Sequence, residues 1–236
     1  MLRSSAIAAM LLILSNLLQA QADCNAHLDK THWFYRETQK EPRFIDEQLV
    51  FDSTPNSIFP DSIVLIKNLV DTSRLKDLGY QIQLVNMLIL KFCSFGLQIM
   101  DEEAIQTNSG DIVRVSRLDA WGILREIYVA EISNDSCLIT YKGFLKGEFN
   151  QNCNTLPKTD FEKLKEQIYA YDFFDIPVFL QPDRARYNTH GAIMDGTHSI
   201  IEVNLDGQYH LVSSDNLFDY FPEYNSINDW FTNRNR

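Results

Sequence analysis

A turn at Asp206-Gly207 limits the possible folds of this chain more than any other segment does. It interrupts the run THSIIEVNLDGQYHLV, residues 197 to 212, and Asp-Gly between two apolar runs is among the strongest signals for a two-residue hairpin turn. Such a turn sets residues opposite each other when their numbers add to 413, so Val203 faces His210 and Glu202 faces Leu211. The sequence therefore predicts an antiparallel hairpin.

Further strand patterns come before this hairpin. IVRVSRL, residues 112 to 118, alternates apolar and polar side chains, and ILREIYVAEI, residues 123 to 132, is rich in β-branched residues. The segment 80 to 100 is long and apolar, and its length favours a helix although its periodicity does not decide between helix and strand.

Two more helices are predicted towards the end of the chain. Thr159 and Glu162 have the spacing of a capping box, and apolar residues then share one helical face: Phe161, Leu164, Ile168 and Tyr171. The stretch YNSINDWFTNR is predicted to form a closing helix. The aromatic residues near it are expected in the core rather than on a partner surface: Phe218, Tyr220, Phe221, Tyr224 and Trp230.

These patterns predict an α+β fold, an antiparallel sheet covered by two or three helices and braced by disulfides. Residues 23–60 contain three prolines and are expected to form an irregular arm, while residues 61–236 show no linker and are expected to form a single domain.

The four cysteines suggest how the fold is braced. If residues 136 to 153 form a hairpin centred on Leu145, residues whose numbers add to 290 lie opposite each other, and Cys137 faces Cys153. Cys24 then pairs with Cys93 by elimination. Because the chain has no C-x-x-C and no zinc-finger spacing, structural disulfides are favoured over redox or metal use.

The first 22 residues indicate export. Arg3 precedes an apolar run that ends in the small-residue site Ala20-Gln21-Ala22, the pattern of a signal peptide cleaved after Ala22. The protein is therefore expected to be periplasmic or secreted, without a transmembrane segment after cleavage.

The charge balance restricts the partners. The chain carries 32 acidic and 21 basic residues, a net charge of −11, which becomes −12 when Arg3 is removed with the leader. No Lys/Arg run could neutralise successive phosphates, so nucleic acid is not an expected partner. An unknown protein or a small ligand remains possible.

The C-terminal third contains a capped helix with an F-F-plus-Pro exit, a D-G-x-x-x-x-x-E strand and a D-G-x-Y-H hairpin; the residues that match these motifs are Asp195, Gly196, Glu202, Asp206, Gly207, Tyr209 and His210. In these motifs the chain resembles a group of exported bacterial proteins that have no established activity. His198 and Ser213-Ser214 depart from the pattern of the group. The resemblance implies fold and export only.

Candidate chemistry centres on three histidines. His198 and Glu202 share a strand face but lie about 13 Å apart, too far for one ion, and His210 points to the opposite face. No metal site and no cofactor are therefore expected. Only His190 and Asp195, on a loop, could join His198 in a distributed hydrolase site.

No nucleophile elbow, P-loop or dinucleotide motif is present in the sequence. The leading hypothesis is an exported, non-catalytic binding or interaction protein. The alternative is a periplasmic or secreted hydrolase with weak catalytic candidates at His190, Asp195 and His198.

Overall fold

A computed structural model describes residues 28–32, 35–36, 58–59, 78–120, 122–145, 148–181 and 196–234. The predicted leader, Cys24 and two candidate site residues, His190 and Asp195, lie outside these ranges. The predictions made for them stay predictions.

An open antiparallel sheet forms the centre of the described structure. Its six strands are β1 (Ile112–Leu118), β2 (Leu124–Ser133), β3 (Ser136–Leu145), β4 (Glu148–Pro157), β5 (His198–Leu205) and β6 (Gln208–Asp215). Their order across the sheet is β4-β3-β2-β1-β5-β6, and every neighbouring pair is antiparallel. Both sequence-predicted strands before residue 133 are present.

Helices complete the described fold. They are α1 (Leu78–Ile99), α2 (Lys158–Ala170), α3 (Leu217–Tyr220) and α4 (Asn225–Thr232), with short 3-10 turns at Ile105–Thr107, Phe173–Asp175 and Pro222–Tyr224. The α+β class is confirmed, and the apolar segment 80 to 100 is helical almost throughout, as its length indicated. Among the described residues, no helix is both long and apolar enough to cross a membrane.

The sheet is covered on both faces because strand side chains alternate in direction. One face, called the α2 face, packs strand residues such as Val113 and Ile139 against Phe161 of α2 and Phe231 of α4. The opposite face, called the α1 face, packs strand residues such as Ile127 against α1. All eight residues of β5 are therefore buried.

The hairpin predicted at Asp206-Gly207 is confirmed. Val203 pairs with His210 and Glu202 with Leu211. Asp206 and Gly207 have φ angles of 52° and 75°. These left-handed conformations are the ones that a two-residue hairpin turn requires and that Asp and Gly tolerate best.

The closing helix is confirmed as α4, which buries Ile227, Trp230 and Phe231. The aromatic residues before it also belong to the core, with four of the five predicted side chains buried and Phe218 packed partly against them. These rings therefore pack in the core of the α2 face, as predicted.

The predicted capping box is wrong. Helix α2 begins at Lys158 and its N-cap is Pro157, which makes no side-chain capping hydrogen bond. Pro157 is also the last residue of β4, paired with Ser136. The chain therefore passes directly from strand to helix, and Thr159 lies within the first turn instead of before it.

The predicted register of the stapled hairpin is also wrong. Cys137 pairs with Leu156, and Cys153 pairs with Thr140, so opposite numbers add to 293 instead of 290. A shift by three residues, an odd number, turns the side chains of one strand to the other face. Cys137 consequently belongs to the core of the α2 face, whereas Cys153 lies on the α1 side of the sheet.

Both predicted disulfide pairings are wrong, because the register shift separates Cys137 from Cys153 and because Cys93 is a free thiol. Cys93 and Cys137 are free thiols, buried in the cores of the α1 face and the α2 face respectively. Cys153 is disulfide-bonded, and Cys24, the remaining cysteine, lies outside the described residues. The sheet is thus not braced through Cys93 or Cys137.

Candidate functional site

His198 and Asp215 form the polar end of the last hairpin. His198 begins β5 and Asp215 ends β6, and the two residues are direct cross-strand partners. Ser213 lies two residues before Asp215 on the same strand face, because side chains alternate along a strand. The hairpin register alone thus places all three side chains on the α1 face.

Hydrogen bonds join these three side chains in a row. His198 Nδ1 lies 2.5 Å from Asp215 Oδ1, and His198 Nε2 lies 2.7 Å from Ser213 Oγ. An ionised carboxylate can only accept, so Nδ1 donates to Asp215, while Nε2 shares the second hydrogen bond with the Ser213 hydroxyl. This hydrogen bond from His198 holds the pKa of Asp215 below its usual value, although burial opposes the shift.

A cleft of about 410 Å³ opens beside this row, between α1, the loop after β1 and the end of the hairpin. Its apolar wall comes from α1: Val85, Leu88, Ile89 and Phe92. Its polar side comes from four residues at the ends of strands: Asp119, His198, Asp215 and Asn216. The cleft therefore offers an apolar surface opposite a few hydrogen-bonding groups.

Asn216 is the least satisfied polar residue of the cleft. It is only 7% exposed, adopts a left-handed φ of 48°, and is anchored by its backbone N–H, which donates to Thr197 O at 2.7 Å. Within the described part of the chain, its side-chain amide has no hydrogen-bond partner. Gly196 makes room for this amide, because a Cβ at that position would overlap it.

The two carboxylates among the described residues that line the cleft differ in how far their negative charge is paired with neighbouring groups. Asp119 Oδ2 accepts a hydrogen bond from Arg125 Nε at 2.8 Å, and Asp119 Oδ1 accepts one from the Ile123 N–H at 3.0 Å. Among the described residues, Asp215 has only the imidazole of His198 as a side-chain partner, and its side chain is 71% exposed. Asp215 is consequently the carboxylate that remains open to a ligand.

The row resembles a hydrolase triad in its connectivity but not in its orientation. A catalytic serine must face the substrate, with the histidine and carboxylate behind it. Here Asp215 and His198 line the cleft, whereas Ser213 is 1% exposed and does not line it. The order is thus reversed, with the acceptor carboxylate at the opening and the hydroxyl at the back.

A second polar cluster lies deeper under α1. Arg114 and Glu202, both fully buried, are joined at 2.7 Å between Nε and Oε2. Lys142 Nζ lies 2.7 Å from Glu102 Oε1, and Tyr209 OH donates to Glu202 Oε1 at 3.0 Å. Two cations and two carboxylates therefore balance each other inside the molecule.

The surroundings in this cluster raise the pKa of three groups, Arg114, Tyr209 and the nearby Cys93. Burial alone would lower the pKa of Arg114, but the charges of Glu202 and Glu102 raise it above its usual value. Burial, with the charge of Glu202, raises the pKa of Tyr209 and that of the nearby Cys93 thiol. None of these residues lines the cleft, and we assign the cluster a structural role.

The described residues contain no group of three His, Cys, Asp or Glu side chains placed to hold a metal ion. Glu202 lies on the α1 face beside Arg114, while His210 packs against Phe173 on the α2 face at a ring distance of 5.6 Å. The separation of Glu202 from His210, predicted from the hairpin register, is confirmed.

Of the three sequence-predicted site residues, the structure describes only His198, which lines the cleft. Sequence reasoning missed Asp215, Ser213 and Asn216. A signal for Asp215 was present, because 198 and 215 also add to 413, the sum set by the Asp206-Gly207 turn.

Comparison with protein-family models, with curated proteins and with solved structures finds no match to this chain. Functional conclusions therefore depend on the geometry of the cleft.

Proposed function

We propose that this protein is an exported, non-catalytic binding protein that takes a small ligand in the cleft beside α1. The volume of this cleft, about 410 Å³, falls in the range of roughly 300–1,000 Å³ that is usual for small-molecule sites. An apolar wall facing a few polar groups is also the usual composition of such sites.

The amide of Asn216 is the observation that carries this proposal. Asn216 lines the cleft, and its side-chain amide has no hydrogen-bond partner among the described residues. An amide both donates and accepts hydrogen bonds, so this group is available to a polar ligand. A bound ligand would supply the missing partner.

Export is supported by the leader-like pattern of residues 1–22 and by the resemblance of the C-terminal third to exported bacterial proteins. N-terminal sequencing of the secreted or periplasmic protein is expected to begin at Asp23. A protein that keeps Met1 in the cytoplasm would contradict export.

The binding function can be tested with a fragment library and ligand-observed NMR on the full chain. Val85→Trp should block the cleft, because Val85 is 53% exposed and lines it. Lys163→Trp is the matched control, since Lys163 is exposed on α2, which packs against the opposite face of the sheet. We expect fragments that bind the wild type and Lys163→Trp but not Val85→Trp.

Two results would contradict this function. One is a folded protein that binds no fragment, and the other is a set of fragments that bind Val85→Trp as well as the wild type.

A hydrolase is the second candidate, favoured by the connectivity of Asp215, His198 and Ser213. It predicts covalent labelling by a fluorophosphonate probe that Ser213→Ala abolishes and Ser214→Ala does not. The burial of Ser213 behind His198 favours the binding function, for which we expect no labelling.

A further inference from the structure

We propose that the ligand of the cleft is an amine, a protonated nitrogen on a compact apolar body, with the nitrogen paired to Asp215 and Asn216. This inference depends on the proposed binding function and names the chemical class of the ligand.

The carboxylate of Asp215 selects for a cation. Its Oδ1 is occupied by His198, whereas Oδ2 makes no hydrogen bond within the described part of the chain. An apolar ligand that filled the cleft would remove water from Oδ2 and leave a charge uncompensated, which is costly. A protonated amine replaces that water with a charge-assisted hydrogen bond, about twice as strong as a neutral one.

The other charges around the cleft also favour a cationic ligand. No Lys or Arg is among the described residues that line it, and the one other carboxylate, Asp119, is already paired with Arg125. The chain as a whole carries a net charge of −11. An anionic ligand would therefore meet repulsion both at the site and on approach.

Asn216 gives the second contact to the nitrogen. It follows Asp215 directly in the chain, and its amide oxygen can accept a hydrogen bond from the N–H of an amine. Asp215 and Asn216 both line the cleft, at the point where the left-handed backbone of Asn216 follows the end of β6. An ammonium group, which donates three hydrogen bonds and accepts none, can satisfy both acceptors together.

The wall of α1 receives the rest of the ligand. Leu88, Ile89 and Phe92 are at most partly exposed and lie across the cleft from Asp215. The wall offers no charged group, so this part of the ligand is apolar.

Hexylamine, hexanol and hexanoate form a matched set of probes that differ only in the head group. Their affinities for the full chain can be compared by ligand-observed NMR at pH 7. We expect the amine to bind at least about tenfold more tightly than the alcohol, and the acid to bind least. Asp215→Asn should abolish this preference for the amine.

Asp219→Asn is the control, because it removes the same charge from an exposed residue that does not line the cleft. It should leave the preference unchanged. Equal unfolding midpoints of the two variants would show that Asp215→Asn is folded.

These measurements distinguish a wrong inference about amines from a wrong proposal of ligand binding. If all three probes bind alike and Asp215→Asn changes nothing, the cleft binds ligands but is not specific for amines. If hexylamine does not bind while library fragments do, the inference also falls. If neither the probes nor any library fragment binds, the binding function itself is wrong.

Discussion

Two carboxylates on the α1 face show how the surroundings of a residue set its role. Glu202 is fully buried, and both of its oxygens are occupied, by Arg114 and by Tyr209. Asp215 is largely exposed and keeps one oxygen open to the cleft. A buried carboxylate needs every partner to offset its desolvation, whereas an exposed one can exchange water for a ligand.

Glu202→Gln is expected to destabilise the protein by about 3 kcal/mol, because it leaves the guanidinium of Arg114 buried with only Glu102 at 3.5 Å to balance its charge. Urea unfolding at pH 7 would measure the loss. Glu103→Gln makes the same chemical change on an exposed side chain and should cost less than about 0.5 kcal/mol. Similar effects for the two variants would show that the buried ion pair does not stabilise the fold.

At the scale of elements, the position of α1 over the sheet depends on a close contact between a helix and a strand. A Cβ on Gly96 would lie 2.5 Å from the Cβ of Leu124 and 2.8 Å from its Cδ2. Glycine in a helix interior costs roughly 1 kcal/mol relative to alanine. The absence of a side chain is therefore needed here for packing, since it lets the helix approach β2.

Gly96→Ala is consequently expected to destabilise the fold by about 1–3 kcal/mol, against its favourable helix propensity, because α1 must move away from β2. Gly110→Ala is a matched control, since its nearest described neighbour would be 3.5 Å from the new Cβ. Thermal unfolding of both variants would test this. A stabilised Gly96→Ala would mean that α1 does not pack this closely on the sheet.

At the scale of the whole molecule, the sheet separates two cores, and each contains a buried thiol. Cys93 lies in the core of the α1 face and Cys137 in the core of the α2 face. Burial raises the pKa of Cys137 to about 12, and it also raises that of Cys93. Both thiols therefore stay protonated and inaccessible to reagents in solution until the helices that cover them separate from the sheet.

Alkylation of these two thiols should report whether the layers unfold together. At pH 8 in native buffer we expect neither to react with iodoacetamide, and with increasing urea we expect both to react at the same midpoint as the tryptophan fluorescence change. Peptide mapping by mass spectrometry would measure each site separately. Two different midpoints would contradict the prediction of a single domain.

Local chemistry accounts for the parts of the fold that were predicted correctly from the sequence. The Asp206-Gly207 turn sets its own register because its backbone conformation is accessible to few residue types. The β3–β4 register could not be deduced in this way. The pairing of Leu145 with Glu148 leaves two residues between the strands, and the core around Cys137 decides which way the side chains face.

For the site, sequence reasoning identified His198 but missed Asp215, although the register set by the turn places Asp215 directly across from it. It could not reveal the cleft, because Val85 of α1 and Asn216 are far apart in the chain and meet only when the helix packs over the sheet. It also could not reveal that Arg114 is buried. Arg114 lies in a strand where apolar and polar residues alternate, and such a pattern predicts that one face of the sheet is exposed to solvent. Burial depends on what covers a surface, and that is a property of the assembled layers.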